Sequence, residues 1–173
     1  MEPRGCYQIY TGEGKGKTTA ALGLTLRAAG RGKRVYFGQF MKGQDYGERH
    51  SLNLLPGVTH VQFGDPGWVK KGKLTEAQLA LAADGLNQAR GALTGGDYDI
   101  VILDEMNMAV WFELVTLADA LALIQERPAA VELITTGRRA APAMIELADL
   151  VTEMREVKHY YHAGVPARAG IEH

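Results

Sequence analysis

Short runs of β-branched and aromatic residues alternate along this chain with longer Ala/Leu-rich runs of helical period. Cys6-Tyr7-Gln8-Ile9-Tyr10-Thr11 reads as a strand ended by Gly12, and Thr18 to Ala29 reads as a helix stopped by Gly30 and Gly32. Further strands are predicted at Arg34–Phe40 and Thr59–Phe63. Thr75 opens a long helix with Gln78 as its capping-box partner, and Leu79, Ala82, Ala83, Leu86 and Ala89 form its expected apolar stripe. Tyr98 to Leu103 ends in a continuous apolar run, the pattern of a strand covered on both faces. Thr116 to Arg127 is the next predicted helix, with Leu117, Leu121 and Ile124 on one side. Ala130–Thr135 reads as a strand, and Pro142 starts a helix through Asp149. Leu150–Met154 is read as a last strand, and the tail from Val157 is irregular and polar.

Strands alternating with helices of about ten residues or more predict an α/β fold, a mainly parallel sheet with helices on both faces. One domain spans residues 1–173, with 157–173 as a C-terminal tail. Asp45–Gly57 and Gly64–Lys73 are the least regular stretches, and long loops in compact domains are often functional.

Composition narrows the class. Apolar residues make up 46% of the 173 positions and charged residues 23%, which excludes a mostly disordered chain. The single cysteine, Cys6, excludes an internal disulfide framework and suits a reducing, cytoplasmic setting. A net charge of -1 gives no basic excess for nucleic acid. The most apolar stretch, Met106 to Ile124, is interrupted by Asn107, Glu113 and Asp119, so no membrane span is expected.

The strongest motif is Thr11-Gly12-Glu13-Gly14-Lys15-Gly16-Lys17-Thr18-Thr19, placed after the first strand and opening the first helix. Gly12, Gly14 and Gly16 permit backbone shapes that let successive N–H groups turn inward as an anion nest. The helix N-terminus adds positive potential, Lys17 adds a cation, and the Thr18 hydroxyl can ligate Mg²⁺ or Mn²⁺. Thr11 stands where the strict motif has glycine, with Gly12 immediately after. Lys15 is a second cation on the loop. The acidic partner is expected where a buried strand ends, and either Asp104 or Glu105 fits, directly or through water. Gln39 and Lys42 end the second strand on the side where open α/β sheets bind ligands. Arg138, Arg139 and His159 are further polar candidates, and Trp68 is a loop aromatic that is either a packed anchor or a ligand contact. Met106-Asn107-Met108 reads as packing rather than chemistry. These residues define a magnesium–nucleotide binder without naming the bond that breaks.

The ordered set Gly16-Lys17-Thr18-Thr19-Ala20-Ala21, Arg27-Ala28, Gln39-Phe40-Met41-Lys42-Gly43, Leu103-Asp104-Glu105, Thr136-Gly137-Arg138 and Ala148–Glu153 covers most of the chain. With the tail segments Val157-Lys158-His159, Ala163-Gly164 and Ala167–Glu172, it resembles the phosphate-loop type of ATP:corrinoid adenosyltransferase. The resemblance implies a RecA-like fold, a homodimer, and transfer of the 5′-deoxyadenosyl group of ATP to cobalt(I) of cob(I)alamin or a related corrinoid, with triphosphate released. It also implies an electron-donating reductase as partner. By the same resemblance Gly12, Glu13, Gly14, Lys15, Gly16, Lys17, Thr18, Thr19 and Arg27 bind nucleotide, and Lys17, Thr18 and Glu105 are catalytic. Thr18, Glu105 and Asp104 face the metal. Trp68, Gln39, Lys42, Tyr46, Arg138 and His159 face the corrinoid. Pro66 stands where some relatives have phenylalanine, so either Phe63, Trp68 or Tyr46 would take over displacement of the lower axial ligand, or the preferred corrinoid differs. A small phosphate-loop kinase or ATPase and a non-enzymatic corrinoid carrier are the alternatives.

Overall fold

A computed structural model describes residues 4–67 and 69–172. Twelve main elements follow in the order β1 (Tyr7–Thr11), α1 (Lys17–Ala29), β2 (Val35–Phe40), α2 (Gly47–Leu52), β3 (Val58–Phe63), α3 (Glu76–Thr94), β4 (Ile100–Asp104), α4 (Met106–Trp111), α5 (Leu117–Gln125), β5 (Glu132–Thr136), α6 (Pro142–Leu147) and β6 (Leu150–Glu153). A 3₁₀ turn, Tyr160–Ala163, lies in the tail. The six strands form one sheet in the order β3-β2-β4-β5-β1-β6, and every pairing is parallel.

Parallel pairing requires a crossover after each strand, and the helices that supply it cover both faces. One face carries α1 and α2, where Ala21, Ala28 and Leu52 pack on Val35, Phe37, Ile102 and Ile134. The other carries α3 to α6, whose Ala82, Leu86, Ala89, Leu93, Met106, Leu123 and Met144 pack on Tyr7, Ile9, Tyr36, Leu103 and Leu133. All five residues of β4 are buried, as its continuous apolar run predicts. Thr75 and Gln78 close the expected capping box, each backbone N–H reaching the other's side-chain oxygen at 3.2 Å.

The differences from the sequence reading are local. Two six-residue helices, α2 and α4, occur where a loop and a packing stretch are expected. Six residues are too few for a helical period to stand out, and neither helix has a side-chain N-cap. The buried stripe of α3 runs through Gln78, Ala82, Gly85, Leu86 and Ala89, leaving Leu79 41% exposed and Ala83 in solvent. Gly85 decides this phase: a Cβ there would lie 2.7 Å from the Phe63 ring, so α3 approaches the sheet through its glycine side. In α5 the buried residues are Ala120, Leu123 and Ile124, and Leu117 is exposed.

Candidate active site

In an all-parallel sheet the carboxyl ends of the strands share one edge, and the candidate residues gather there. The loop Gly12–Gly16 leaves β1 at that edge. Gly12 and Gly16 take φ values of 96° and 120°, which side chains oppose. The chain leaving β6 presses on the loop: Gly14 N donates to Met154 O at 2.7 Å, and a Cβ on Gly14 would meet that same oxygen at 2.7 Å. Gly16 caps α1 without a side-chain acceptor, and no acidic residue lies in the first turn. The first N–H groups of α1 therefore stay open to an anion.

Lys17 is 7% exposed and folds back over its own loop, donating to Gly12 O at 2.7 Å and Gly14 O at 2.6 Å. Burial pushes its ammonium below the ordinary lysine range, against the pull of Glu105. These acceptors are neutral carbonyls, which a phosphate oxygen outcompetes.

Asp104 ends β4 with no exposed surface. Its Oδ1 accepts from Thr18 Oγ1 at 2.9 Å and from Thr136 Oγ1 at 2.6 Å. Its Oδ2 accepts from Gln39 Nε2 and Lys42 Nζ, each at 3.0 Å. β5 lies between β1 and β4, so Thr136 fills the gap that separates the phosphate loop from the carboxylate. Burial alone would raise the Asp104 carboxyl, but the Lys42 ammonium and these hydrogen bonds outweigh it and hold it below the usual range. Glu105 behaves oppositely, because burial and the adjacent Asp104 charge both raise its carboxyl. Its backbone is left-handed at φ 59°, a conformation costly for a side chain, and its N–H is held by Thr136 Oγ1 at 3.0 Å.

A cavity of about 1040 Å³ opens over these groups. Glu13, Gly14, Lys15, Gly16, Lys17, Thr18 and Thr19 line it from the loop, and Lys42, Tyr46, Glu105, Arg138 and His159 line it from other elements. Tyr46 faces Lys42, whose Nζ lies 5.0 Å from the ring centre. Arg138 faces Glu13 at 3.6 Å. His159 caps the 3₁₀ turn, its Nδ1 accepting from Tyr161 N at 3.1 Å. Gln39 and Asp104 sit beneath the cavity rather than on its wall. Arg27 is exposed in the last turn of α1, one residue past the wall residue Leu26, and does not line the cavity. Trp68 lies outside the described residues.

Several wall residues escape the sequence reading. Leu22 and Leu26 of α1 face Leu52 and Leu55 of the α2 region, and Glu48 and Ser51 stand beside them. Their sequence signals are the apolar spacings Leu22/Leu26 and Leu52/Leu55 and the place of Glu48, Ser51, Leu52 and Leu55 within the irregular stretch Asp45–Gly57. Gly170, Ile171 and Glu172 close the cavity from the tail, and their segment enters the sequence reading only through the family resemblance, without a role.

The hard-oxygen set of Thr18, Asp104 and Glu105 suits Mg²⁺, which takes few protein ligands and keeps much of its own water. Among the described residues no cluster of three His, Cys, Asp or Glu side chains could hold a metal by itself. No described helix is long and apolar enough to cross a membrane.

Residues 3–173 match the family model described as ATP:corrinoid adenosyltransferase BtuR/CobO/CobP. A corrinoid adenosyltransferase of Escherichia coli strain K12 is 37% identical over 174 residues, covering 100% of this chain and 88% of the relative. A corrinoid adenosyltransferase of Pseudomonas aeruginosa is 37% identical, covering 99% and 85%. Corrinoid adenosyltransferase CobA of Salmonella typhimurium is 36% identical, covering 100% and 88%. The flagellar accessory protein FlaH of Methanocaldococcus jannaschii shares the RecA-like fold at a TM-score of 0.60 and 16% identity, over 88% of this chain and 72% of that one. With a phosphate loop, a buried acidic strand end and full-length likeness to these relatives, the chain belongs to the ATP:corrinoid adenosyltransferase family.

Proposed function

We propose that this chain transfers the 5′-deoxyadenosyl group of ATP to the cobalt(I) of a corrinoid, with Mg²⁺ held beside Thr18 and the Asp104–Glu105 pair. The observation that carries this reading is the joining of a phosphate loop to a cavity larger than a nucleotide needs. The space continues from Lys17 and Thr18 to the Leu52–Leu55 wall.

Cobalt(I) supplies an electron pair to C5′, the C5′–O bond breaks, and its pair leaves on the oxygen of triphosphate. No proton moves, so no general base is required. The leaving oxygen gains negative charge, and the open N–H groups of the loop and the Lys17 ammonium are preorganised for it. Bound Mg²⁺ would supply Lewis-acid stabilisation of that charge. The Thr18 hydroxyl, oriented by its bond to Asp104, presents a lone pair on the loop side. Asp104 stays ionised because Lys42, Gln39 and Thr136 serve its anionic form. Leu22, Leu26, Leu52 and Leu55 offer an apolar wall to the second substrate and exclude water from the exposed cobalt. The reading extends to a cytoplasmic homodimer that receives reduced corrinoid through an electron-donating reductase.

The test is an anaerobic, dark assay with ATP, Mg²⁺ and chemically reduced cob(I)alamin. A light-sensitive alkylcobalamin with one triphosphate per product, over many turnovers, supports the proposal. ADP without alkylation makes the chain a kinase or ATPase, and tight corrinoid binding without product makes it a carrier.

A further inference from the structure

The first turn of α2 contains a carboxylate that the reaction above does not use. Glu48 Oε1 accepts from Lys42 Nζ at 3.1 Å and from Gln39 Nε2 at 3.2 Å. The same two donors reach Asp104 Oδ2, each at 3.0 Å. One ammonium and one amide are thus shared between two carboxylates, one at the end of β4 and one on α2. The side chains are largely withdrawn from solvent, with Lys42 14%, Glu48 13% and Asp104 0% exposed. Gln39 is pinned from behind, its Oε1 meeting His60 Nε2 at 2.8 Å and Gln62 Nε2 at 3.2 Å. It therefore cannot turn to serve Asp104 alone.

Two consequences follow from charge and connection. A lone Lys42–Asp104 pair would be neutral and a poor neighbour for a divalent cation at Thr18. With Glu48 the three groups sum to one negative charge, because Lys42 is divided between two anions. Glu48 also sits among Tyr46, Gly47, Ser51 and Leu52, which form the cavity wall away from the phosphate loop. The chain Thr18–Asp104–Lys42–Glu48 is therefore a continuous polar path from the nucleotide end to that wall.

We infer that Glu48 is a positioning residue: by holding Lys42 and Gln39 between itself and Asp104, it couples cation–nucleotide binding at the loop to corrinoid binding at the α2 wall. This rests on the metal–nucleotide reading above. A coupling of this kind is reciprocal, so each ligand tightens the other by the same factor.

The experiment uses the full chain, with Mn²⁺ as a paramagnetic probe. Mn²⁺ affinity in the presence of ATP is read by electron paramagnetic resonance, and cob(II)alamin affinity with and without Mg·ATP by spectral titration. Glu48→Gln is expected to weaken Mn²⁺ binding about tenfold and to bring the ratio of the two corrinoid affinities close to one. On a Lys42→Met background, the same Glu48→Gln change is expected to have a smaller effect, because only Gln39 still links it to Asp104. If Glu48→Gln fails to fold, Glu48→Ala, which also removes the charge, carries the same comparison. Unchanged Mn²⁺ affinity and unchanged coupling in Glu48→Gln overturn the proposal, as does an undiminished Glu48→Gln effect beside Lys42→Met. Failure of the unsubstituted chain to bind Mn·ATP overturns the metal–nucleotide reading itself.

Discussion

Lys15 of the phosphate loop and Glu172 of the tail, 157 positions apart, meet at 2.7 Å. The Lys15 ammonium also donates to Tyr160 Oη at 3.0 Å and to Ile171 O at 2.9 Å. Glu172 is gripped in turn by Arg168, whose backbone N donates at 2.8 Å, and by the Tyr160 hydroxyl. The tail therefore lies over the loop where triphosphate would leave.

Arg168, Lys15 and Tyr160 hold the Glu172 carboxyl well below its ordinary value of 4.5. A depressed folded-state pKa means the attachment is complete above that ordinary value and is lost only as pH falls through the lowered one. Proteolysis of the tail should therefore be equally slow at neutral and mildly acidic pH. Glu172→Gln should speed it at both, and a variant with unchanged cleavage would show that the clasp does not hold the tail.

Lys17→Ala should lower kcat/KM by roughly 100-fold or more, about 3 kcal/mol, because the leaving oxygen loses both a donor and a charge. Steady-state kinetics with pre-reduced corrinoid measure this without involving the reductase.

Thr136 touches Asp104 and supports Glu105 but does not line the cavity. Thr136→Val keeps the shape of the β5 end and removes both hydrogen bonds. It should weaken metal affinity or turnover about 10- to 100-fold. Chelation with EDTA should stop turnover in the unsubstituted chain, and Mg²⁺ should restore it.

Gly85→Ala sets two effects against each other. Alanine favours the helix by about 1 kcal/mol, but its Cβ would lie 2.7 Å from the Phe63 ring and 3.0 Å from Phe40. Both rings belong to the core, so overpacking of about 1–3 kcal/mol should win and lower the melting temperature.

Strand-by-strand alternation, the phosphate loop and the acidic strand end are legible because each is local. A strand's apolar run, a glycine's backbone freedom and a helix N-terminus act within a few residues of chain. Asp104 and Glu105 show the limit of that legibility. They are neighbours in sequence and equally acidic, yet one carboxyl is lowered and the other raised. The difference comes from Lys42, Gln39 and Thr136, which arrive from β5 and the region of β2.

By itself the sequence determined the α/β class, the sheet's parallel character and the place of the glycine-rich loop between β1 and α1, since periodicity and motif are properties of contiguous residues. The tertiary structure alone decided that β5 separates the loop from Asp104, that Glu48 shares Lys42 with it, and that the tail clasps Lys15. Those relationships join residues 6 to 157 positions apart through packing and charge pairing across the sheet edge, and no local preference encodes them.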